Sequence, residues 1–178
     1  MKLVGIVLAD TGLHIPDFRS QERTFSLIVQ VSGRAGRFLP DGEVIIQTYT
    51  PENFAIRRAS RFEIAPFYES ELSVRKSLLF PPFGRLIRIV FRGKSRSRVV
   101  KHAEYFSSVL DPALRGKGDL LGPAECPLSV IAGNYRHHLI VRSADFTKAH
   151  SIMGQTLQNT RRSTGVYVEI DVDPVSLL

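Results

Sequence analysis

The chain has 178 residues, of which 43% are hydrophobic and 23% charged, a composition typical of a folded protein with one ordinary domain or two small ones. Its formal net charge of +7 indicates an anionic partner. The single cysteine, Cys126, excludes an internal disulfide and a cysteine-based zinc site, and no apolar run approaches the ~20 residues that cross a bilayer.

Residues 1–50 are predicted to alternate between strands and a helix. An apolar run over residues 2–10 predicts a buried strand; it is too short for a signal peptide, and no small-residue cleavage site follows it. Ser20 can cap a helix from Gln21 to about Ser32, and the segment from Val44 to Thr48 predicts a second strand. Two strands and one helix cannot cover both faces of a parallel sheet, so this segment is predicted to be the end of an α/β domain.

A basic segment with two glycines ends the predicted helix. Residues 30–37 read Gln-Val-Ser-Gly-Arg-Ala-Gly-Arg. The glycines let the backbone leave the helix, which would expose the guanidinium groups of Arg34 and Arg37. Exposed guanidiniums suit phosphate oxygens, especially the charge on a transferring phosphoryl group. A basic helix C-terminus explains the pattern equally well, because the helix dipole favours cations there.

Residues 51–84 are predicted to link two domains. Two consecutive helices are expected between Pro51 and about Lys76. The sequence Phe80-Pro-Pro-Phe-Gly84 cannot continue a helix and is predicted to mark the domain boundary. We interpret it as an aromatic–proline clamp that ties the helices to the next domain, in preference to a ligand-binding role.

Residues 85–178 carry the pattern βαββαβ, which predicts a ferredoxin-like plait with two helices on one face of a four-stranded antiparallel sheet. The prolines of the second strand place it at a sheet edge, and the usual plait places the last strand beside the first. The predicted elements are strands Leu86–Arg92, Leu120–Ile131, Tyr135–Arg142 and Val166–Val172, a helix capped by Ser95 with Val99, Ala103, Phe106 and Leu110 on one stripe, and a helix with Phe146, Ala149, Met153 and Leu157 on one face.

The basic residues concentrate at the start of this region. From Arg75 to Lys101 the chain carries nine Lys or Arg residues and no Asp or Glu, a distribution typical of contact with a nucleic-acid backbone. The preferred phosphate contacts are four residues at the start of the first plait helix: Lys94, Arg96, Arg98 and Lys101.

Arg88 and Arg92 are secondary candidates for DNA contacts, because their strand parity points them away from the helices, as in RNA-binding plaits. Alternatively, Glu169 and Asp171 on the last strand pair with them and neutralise their charge. That face also lacks the stacking aromatics that an RNA-binding plait requires, since only Tyr167 qualifies.

His137 and His138 are adjacent in a strand, point to opposite faces and therefore cannot chelate one metal ion together. His137 shares the parity of the core-facing Leu139 and is predicted to be a packed imidazole.

The segment Gln-x-x-Gly-Arg-x-Gly-Arg resembles motif VI of superfamily 2 helicases. Further segments, in the same order, resemble the family of primosomal protein N′, a replication-restart DNA helicase, and the resemblance runs nearly end to end. These segments are Asp10–Arg19, Glu22–Phe25, Val44–Thr48, Phe80–Phe83, Leu121–Pro123, Tyr135–Arg136 and Asp171–Pro174.

The resemblance implies that residues 1–50 are the end of the second RecA-like helicase lobe, residues 51–84 a helical linker and residues 85–178 the C-terminal plait. It also implies that Gln30, Gly33, Arg34 and Arg37 face the phosphates of ATP, with the arginines stabilising charge on the γ-phosphate. The whole enzyme would use ATP and Mg²⁺ to move three-prime to five-prime on single-stranded DNA. It would also contain zinc, which this chain is not expected to bind.

The partners implied are single-stranded and forked DNA, the single-stranded-DNA-binding protein and other primosome proteins, in the cytoplasm and without a membrane. Because the GxxxxGK[ST] loop and the DExH box are absent from these 178 residues, the chain alone is expected to be inactive as an ATPase. An alternative of another class is a non-catalytic module that docks nucleic acid or protein. A different superfamily 2 motor is a weaker option.

Overall fold

A computed structural model describes residues 3–35, 42–161 and 163–177 of the chain. These residues form an α/β fold that divides into two compact units, Met1–Val74 and Arg75–Leu178. The elements, in chain order, are β1 (Leu3–Ile6), a short 3₁₀ helix (Ala9–Gly12), α1 (Ser20–Ala35), β2 (Glu43–Ile46), α2 (Phe54–Ser60), α3 (Ile64–Ser77), β3 (Arg85–Gly93), α4 (Arg96–Leu114), β4 (Asp119–Ile131), β5 (Asn134–Ser143), α5 (Phe146–Asn159) and β6 (Val166–Val172).

The first unit pairs β1 with β2 in parallel and packs α1, α2 and α3 around an aromatic core. The rings of Phe25 and Phe67 stack with their centroids 3.9 Å apart. Asn53 caps α2, because its side chain accepts a hydrogen bond from the backbone N–H of Ala55 at 2.9 Å. The two helices predicted between Pro51 and Lys76 are therefore confirmed.

The prediction of a buried strand over residues 2–10 is wrong in both extent and burial. Pairing with β2 ends at Ile6, and Leu8 adopts a left-handed conformation that turns the chain into the 3₁₀ helix. Among the described residues of β1 only Val4 is buried, while Leu3 is 52% exposed. An apolar run predicts burial on both faces only where both faces are covered.

Helix α1 is longer than predicted, because it begins at Ser20 and continues to Ala35. Ser20 is thus its first residue rather than the residue that caps it. Gly33 and Arg34 are helical, so the expected exit of the backbone at Gly33 does not occur there. Arg37 lies outside the described residues.

The second unit is a four-stranded antiparallel sheet in the order β4-β5-β3-β6. The predicted element order is confirmed, as are the edge position of β4 and the pairing of the last strand with the first. Helices α4 and α5 cover one face, where they bury side chains of β3 and β5. The largest of these core side chains include Ile87, Ile89, Phe91, Phe106, Leu110 and Leu139.

Strand β3 is buried on both faces, which the sequence pattern did not predict. Leu86, Arg88 and Val90 were expected on an open face, but their exposed fractions are 0%, 4% and 5%. The Nε of Arg88 donates a hydrogen bond to the Nδ1 of His138 at 3.3 Å. His137 stands opposite Phe91 and is also buried, so its predicted packing in the core is confirmed.

The proline segment before β3 is confirmed as non-helical. It forms turns, with a cis peptide between Pro81 and Pro82. Within the second unit, the guanidinium of Arg142 lies over the ring of Phe80, 5.4 Å from its centroid. The division into compact units falls between Val74 and Arg75. The boundary expected after Gly84 remains a prediction.

The buried contact between Arg88 and His138 makes stability depend on pH. Burial, and then the charges of Arg88 and Arg136, lower the pKa of His138 from 6.5 to about 4. The unfolded chain therefore binds a proton at His138 below pH 6.5 while the folded chain binds it only near pH 4. Stability from this group is fully present above pH 6.5 and is lost as the pH falls toward 4.

We expect the free energy of unfolding to fall by about 2 kcal/mol from this group between pH 7 and pH 5. In His138→Asn, whose side-chain oxygen can still accept the Arg88 bond, the fall should be smaller by that amount. Urea unfolding at pH 7 and at pH 5 measures this fall in wild type and in the variant. His150→Asn, at an exposed histidine of the same unit, is the control and should behave as wild type. An unchanged pH dependence in His138→Asn would contradict the assignment.

Candidate functional site

The last two turns of α1 carry Gln30, Gly33 and Arg34, all exposed. Spacings of three and four residues place them on one face of the helix. The opposite face is buried through Phe25 and Ile28. A Cβ added at Gly33 would meet no described atom within 4 Å, so this face has room for a ligand beside the guanidinium of Arg34.

Asp10 fixes the loop that precedes α1. Its carboxylate is buried and accepts hydrogen bonds from the Oγ1 of Thr48 at 2.7 Å, the N–H of Tyr49 at 2.8 Å and both the hydroxyl and the N–H of Thr50. The hydroxyl of Thr50 is the largest cause of a carboxyl pKa held far below its usual range. Asp10 therefore ties the turn after β1 to the chain after β2. Asp10 lies in a segment that resembles the helicase family, but the sequence pattern did not predict this role.

The four predicted phosphate contacts at the start of α4 are all exposed; they are Lys94, Arg96, Arg98 and Lys101. We call these four residues the α4 basic surface. The Nζ of Lys94 donates to the carbonyl of Ala132 at 2.9 Å, and Arg96 lies 3.8 Å from Glu125 at the limit of an ion pair. The structure therefore brings all four to one end of a single helix.

Arg98 and Lys101 line a cavity of about 460 Å³ together with Arg161, which the sequence analysis missed. Arg161 follows α5 and is distant in sequence, so only the fold brings it to this cavity. We call this space the cationic cavity. Among the described residues, its lining includes the hydroxyl side chains of Ser163 and Thr164 but no acidic side chain, and no ion pair forms with its three cations.

Gly93 permits this arrangement. A Cβ at Gly93 would stand 2.4 Å from the carbonyl oxygen of Gly165, a distance that real Cβ atoms do not reach. Gly165 itself has a φ of 77°, in the left-handed region that favours glycine. The two glycines bring the loop after α5 directly beside the start of α4.

The electrostatics at the start of α4 favour an anion. The first turn contains no acidic residue, although acidic side chains are preferred there because the helix dipole is positive at this end. Ser95 occupies the N-cap position as predicted, but its side chain makes no capping hydrogen bond and contacts the hydroxyl of Ser97 at 3.2 Å instead. Basic side chains and the helix N-terminus therefore add their positive potentials.

The other two candidate arginines are engaged within the sheet. Arg92 forms an ion pair with Glu169 and lies over the ring of Tyr167, 4.9 Å from its centroid. This confirms, for Arg92, the predicted neutralisation by the last strand. Arg88 is buried beside His138 and stands opposite Asp171. We therefore leave Arg88 and Arg92 out of the α4 basic surface, and DNA contact by them stays a prediction.

Within residues 3–35, 42–161 and 163–177, no group of three or more His, Cys, Asp or Glu side chains could hold a metal ion. Cys126 is buried, and burial raises the pKa of its thiol, so it is not an activated nucleophile. The same described part of the chain contains no helix that is long and apolar enough to cross a membrane.

Comparison with known proteins gives one consistent result. The family model of the primosomal protein N C-terminal domain matches residues 76–175, more than half of the chain. Replication restart protein PriA of Treponema pallidum is 48% identical over 179 residues, covering 100% of this chain and 27% of that protein. The Borreliella burgdorferi protein of the same name is 38% identical over 178 residues, with the same coverage. That of Bacillus subtilis is 34% identical over 179 residues, covering 99% and 22%.

The chain thus spans about a quarter of the length of these curated relatives. The matched domain begins at residue 76, and the identity to the relatives extends over the preceding unit as well. On this evidence the chain belongs to the primosomal protein N family and corresponds to its C-terminal region.

Proposed function

We propose that this chain is the C-terminal part of an ATP-dependent, three-prime to five-prime DNA helicase that assembles the primosome and restarts replication at stalled forks. The observation that carries the proposal is that the whole of this chain matches about a quarter of the length of replication restart proteins. Gln30, Gly33 and Arg34 lie on one exposed face within the matched region, which agrees with the proposal.

The architecture supports the finer parts of this proposal. The parallel pair β1–β2 with α1 is what the end of a RecA-like lobe would contribute. The order β4-β5-β3-β6 with two helices on one face is that of a ferredoxin-like plait. We further propose that residues 1–50, 51–84 and 85–178 are lobe, linker and plait.

ATP and Mg²⁺ would be held mainly by parts of the helicase outside this chain. Gln30, Gly33, Arg34 and Arg37 would face the nucleotide phosphates, with Arg34 and Arg37 stabilising the charge that develops on the γ-phosphate and Gln30 orienting the nucleotide or the attacking water. Zinc would also belong to other parts of the helicase.

Removal of the Arg34 guanidinium tests the nucleotide role. In a chain extended to the full length of its relatives, Arg34→Ala should lower DNA-stimulated ATP turnover by ~10³-fold, as loss of an arginine finger does. Arg61→Ala, at an exposed arginine of the same unit, is the matched control and should retain turnover. Equal turnover in Arg34→Ala and wild type would remove Arg34 from the proposed site.

The chain on its own should not hydrolyse ATP. Its arginines can stabilise a transition state only where a phosphate cradle and Mg²⁺ ligands are also present, and the 178 residues contain neither motif that supplies them. A phosphate-release assay on the pure chain, with and without single-stranded DNA, measures this. DNA-stimulated release above the buffer background would contradict the prediction.

We also propose that the α4 basic surface binds the phosphates of single-stranded DNA. Its four cations lie at a helix N-terminus whose first turn has no acidic residue, which is an unfavourable place for cations unless an anion binds there. Arg98 and Lys101 have no ion-pair partner among the described residues, so they do not serve the fold through such a pair.

A paired charge deletion tests this surface. Arg98→Ala/Lys101→Ala should weaken binding of single-stranded DNA and make the slope of log K against log salt shallower by about 1.4, at roughly 0.7 for each lost phosphate contact. Arg115→Ala/Lys117→Ala, just after the opposite end of α4, removes the same charge and is the matched control. If both variants weaken binding equally, net charge rather than the α4 basic surface binds the DNA.

A second candidate function is a module that docks nucleic acid or protein without catalysis. The favouring observation is that the α4 basic surface lies in the second unit, whereas Gln30, Gly33 and Arg34 lie in the first. The proposed partners are single-stranded and forked DNA, the single-stranded-DNA-binding protein and other primosome proteins, all in the cytoplasm. Fluorescence anisotropy with labelled DNA and with a labelled acidic peptide shows whether the chain binds nucleic acid or an acidic protein segment. Binding of neither would contradict this candidate.

A further inference from the structure

A second cavity, of about 480 Å³, shares His102 with the cationic cavity. It runs between α4, the end of α5 and the edge strand β6, and Phe106, Leu157 and Val166 contribute its apolar walls. We call it the inner cavity. Its volume lies within the range of small-ligand sites. Because the two cavities share His102, a ligand that contacts this residue can extend into both.

His102 is the polar group at the junction of the two cavities. It is 8% exposed, lies edge-on to Phe91 with ring centroids 5.6 Å apart, and has no hydrogen-bond partner in the described part of the chain. Burial lowers the pKa of its imidazole, so at neutral pH it offers one N–H donor and one nitrogen acceptor. Its ring nitrogens are not among the fully buried polar atoms of the described residues, so they are accessible to a ligand in either cavity.

Gln158 adds a second polar group to the inner cavity. It lies on the last turn of α5 and its amide offers both donors and an acceptor. The inner cavity therefore combines apolar walls with polar groups of both types. This is the combination required by a flat ring that has apolar faces and a hydrogen-bonding edge.

We propose that the two cavities together hold one unstacked nucleotide of single-stranded DNA, with its phosphate among Arg98, Lys101 and Arg161 and its base in the inner cavity. This inference rests on the proposed binding of DNA phosphates by the α4 basic surface. The base gains van der Waals contact with Phe106 and Leu157 and hydrogen bonds at its edge from His102 and Gln158. The backbone on one side of the nucleotide continues toward Arg96 and Lys94.

An acidic peptide with an apolar side chain fits the two cavities less well. An aliphatic side chain would leave His102 and Gln158 without hydrogen bonds in the inner cavity, whereas a base edge satisfies them. The cations also continue along the start of α4 through Arg96 to Lys94, which matches a backbone with a charge at every residue.

The test compares an intact short oligothymidylate with a strand of equal length and equal phosphate number in which every base is replaced by an abasic site. Phosphate contacts are the same for both strands, so the ratio of their Kd values isolates the contribution of the base. Anisotropy with the chain should give a Kd about 10-fold higher for the abasic strand, the effect of losing roughly one stacked base.

A double variant assigns this ratio to the inner cavity. His102→Phe/Gln158→Leu keeps the ring beside Phe91 and the apolar volume but removes both polar groups. It should bring the ratio of the two Kd values from about 10 toward 1, chiefly by weakening binding of the intact strand. Gln155→Leu, at an exposed glutamine of the same helix outside the cavity lining, should keep the wild-type ratio. Thermal unfolding shows whether both variants are folded.

The outcomes separate this inference from the function on which it rests. Equal Kd values for the two strands, with both weakened by Arg98→Ala/Lys101→Ala, would leave phosphate binding in place and overturn the nucleotide site. Binding of neither strand would overturn both. A labelled acidic peptide whose binding is lost in His102→Phe/Gln158→Leu and that neither strand displaces would also overturn the nucleotide site. An unchanged ratio in a folded His102→Phe/Gln158→Leu would remove the base from the inner cavity.

Discussion

The second unit depends on the burial of β3 on both of its faces. β3 hydrogen-bonds to β5 on one side and to β6 on the other, so it has no free edge. Its inward side chains end at Phe91, whose ring contacts Phe106 at 5.5 Å and His102 at 5.6 Å between centroids. Phe91, at the end of the buried part of β3, therefore also positions two side chains of the inner cavity, Phe106 and His102. A change that loosens β3 would alter the core and the candidate site together.

The arginines between Arg75 and Lys101 have three different roles in the second unit. Arg85 stabilises the fold, because it pairs with Asp173 and its guanidinium lies 3.7 Å from the centre of the Phe146 ring. Arg88 is buried and is satisfied in part by His138. Arg98 is exposed among other cations. Although they lie close together in sequence, they are not interchangeable contacts for an anion, and net charge alone does not indicate which of them binds.

Elements of the second unit could be predicted from the sequence wherever a local pattern determines them. β6 has the predicted bounds, Val166–Val172, because alternation is clear and a glycine precedes it. α5 begins at Phe146 as expected, after Asp145 accepts the N–H of Lys148 as a cap. Such features depend only on residues that are near each other in the chain. The burial of β1 could not be predicted in this way, because it depends on how much of the sheet is covered by other elements.

The candidate site could be predicted only in part, for a related reason. The cations at the start of α4 form a run in the sequence and were found. Arg161 was missed because it follows a different helix, and His102 because its spacing on α4 looks like that of any core residue. Arg88 was misplaced because the alternation of side chains along a strand cannot distinguish an open face from a buried one. Long-range packing determines all three.

The contact between Gly93 and Gly165 has a consequence for how the fold could change over time. A methyl group at Gly93 would force the loop after α5 away from α4, because the obstacle is backbone rather than a flexible side chain. Substitutions there would then dismantle the cationic cavity without touching any of its cations. A related chain with a side chain at position 93 should thus lack this cavity, even where every arginine and lysine around it remains.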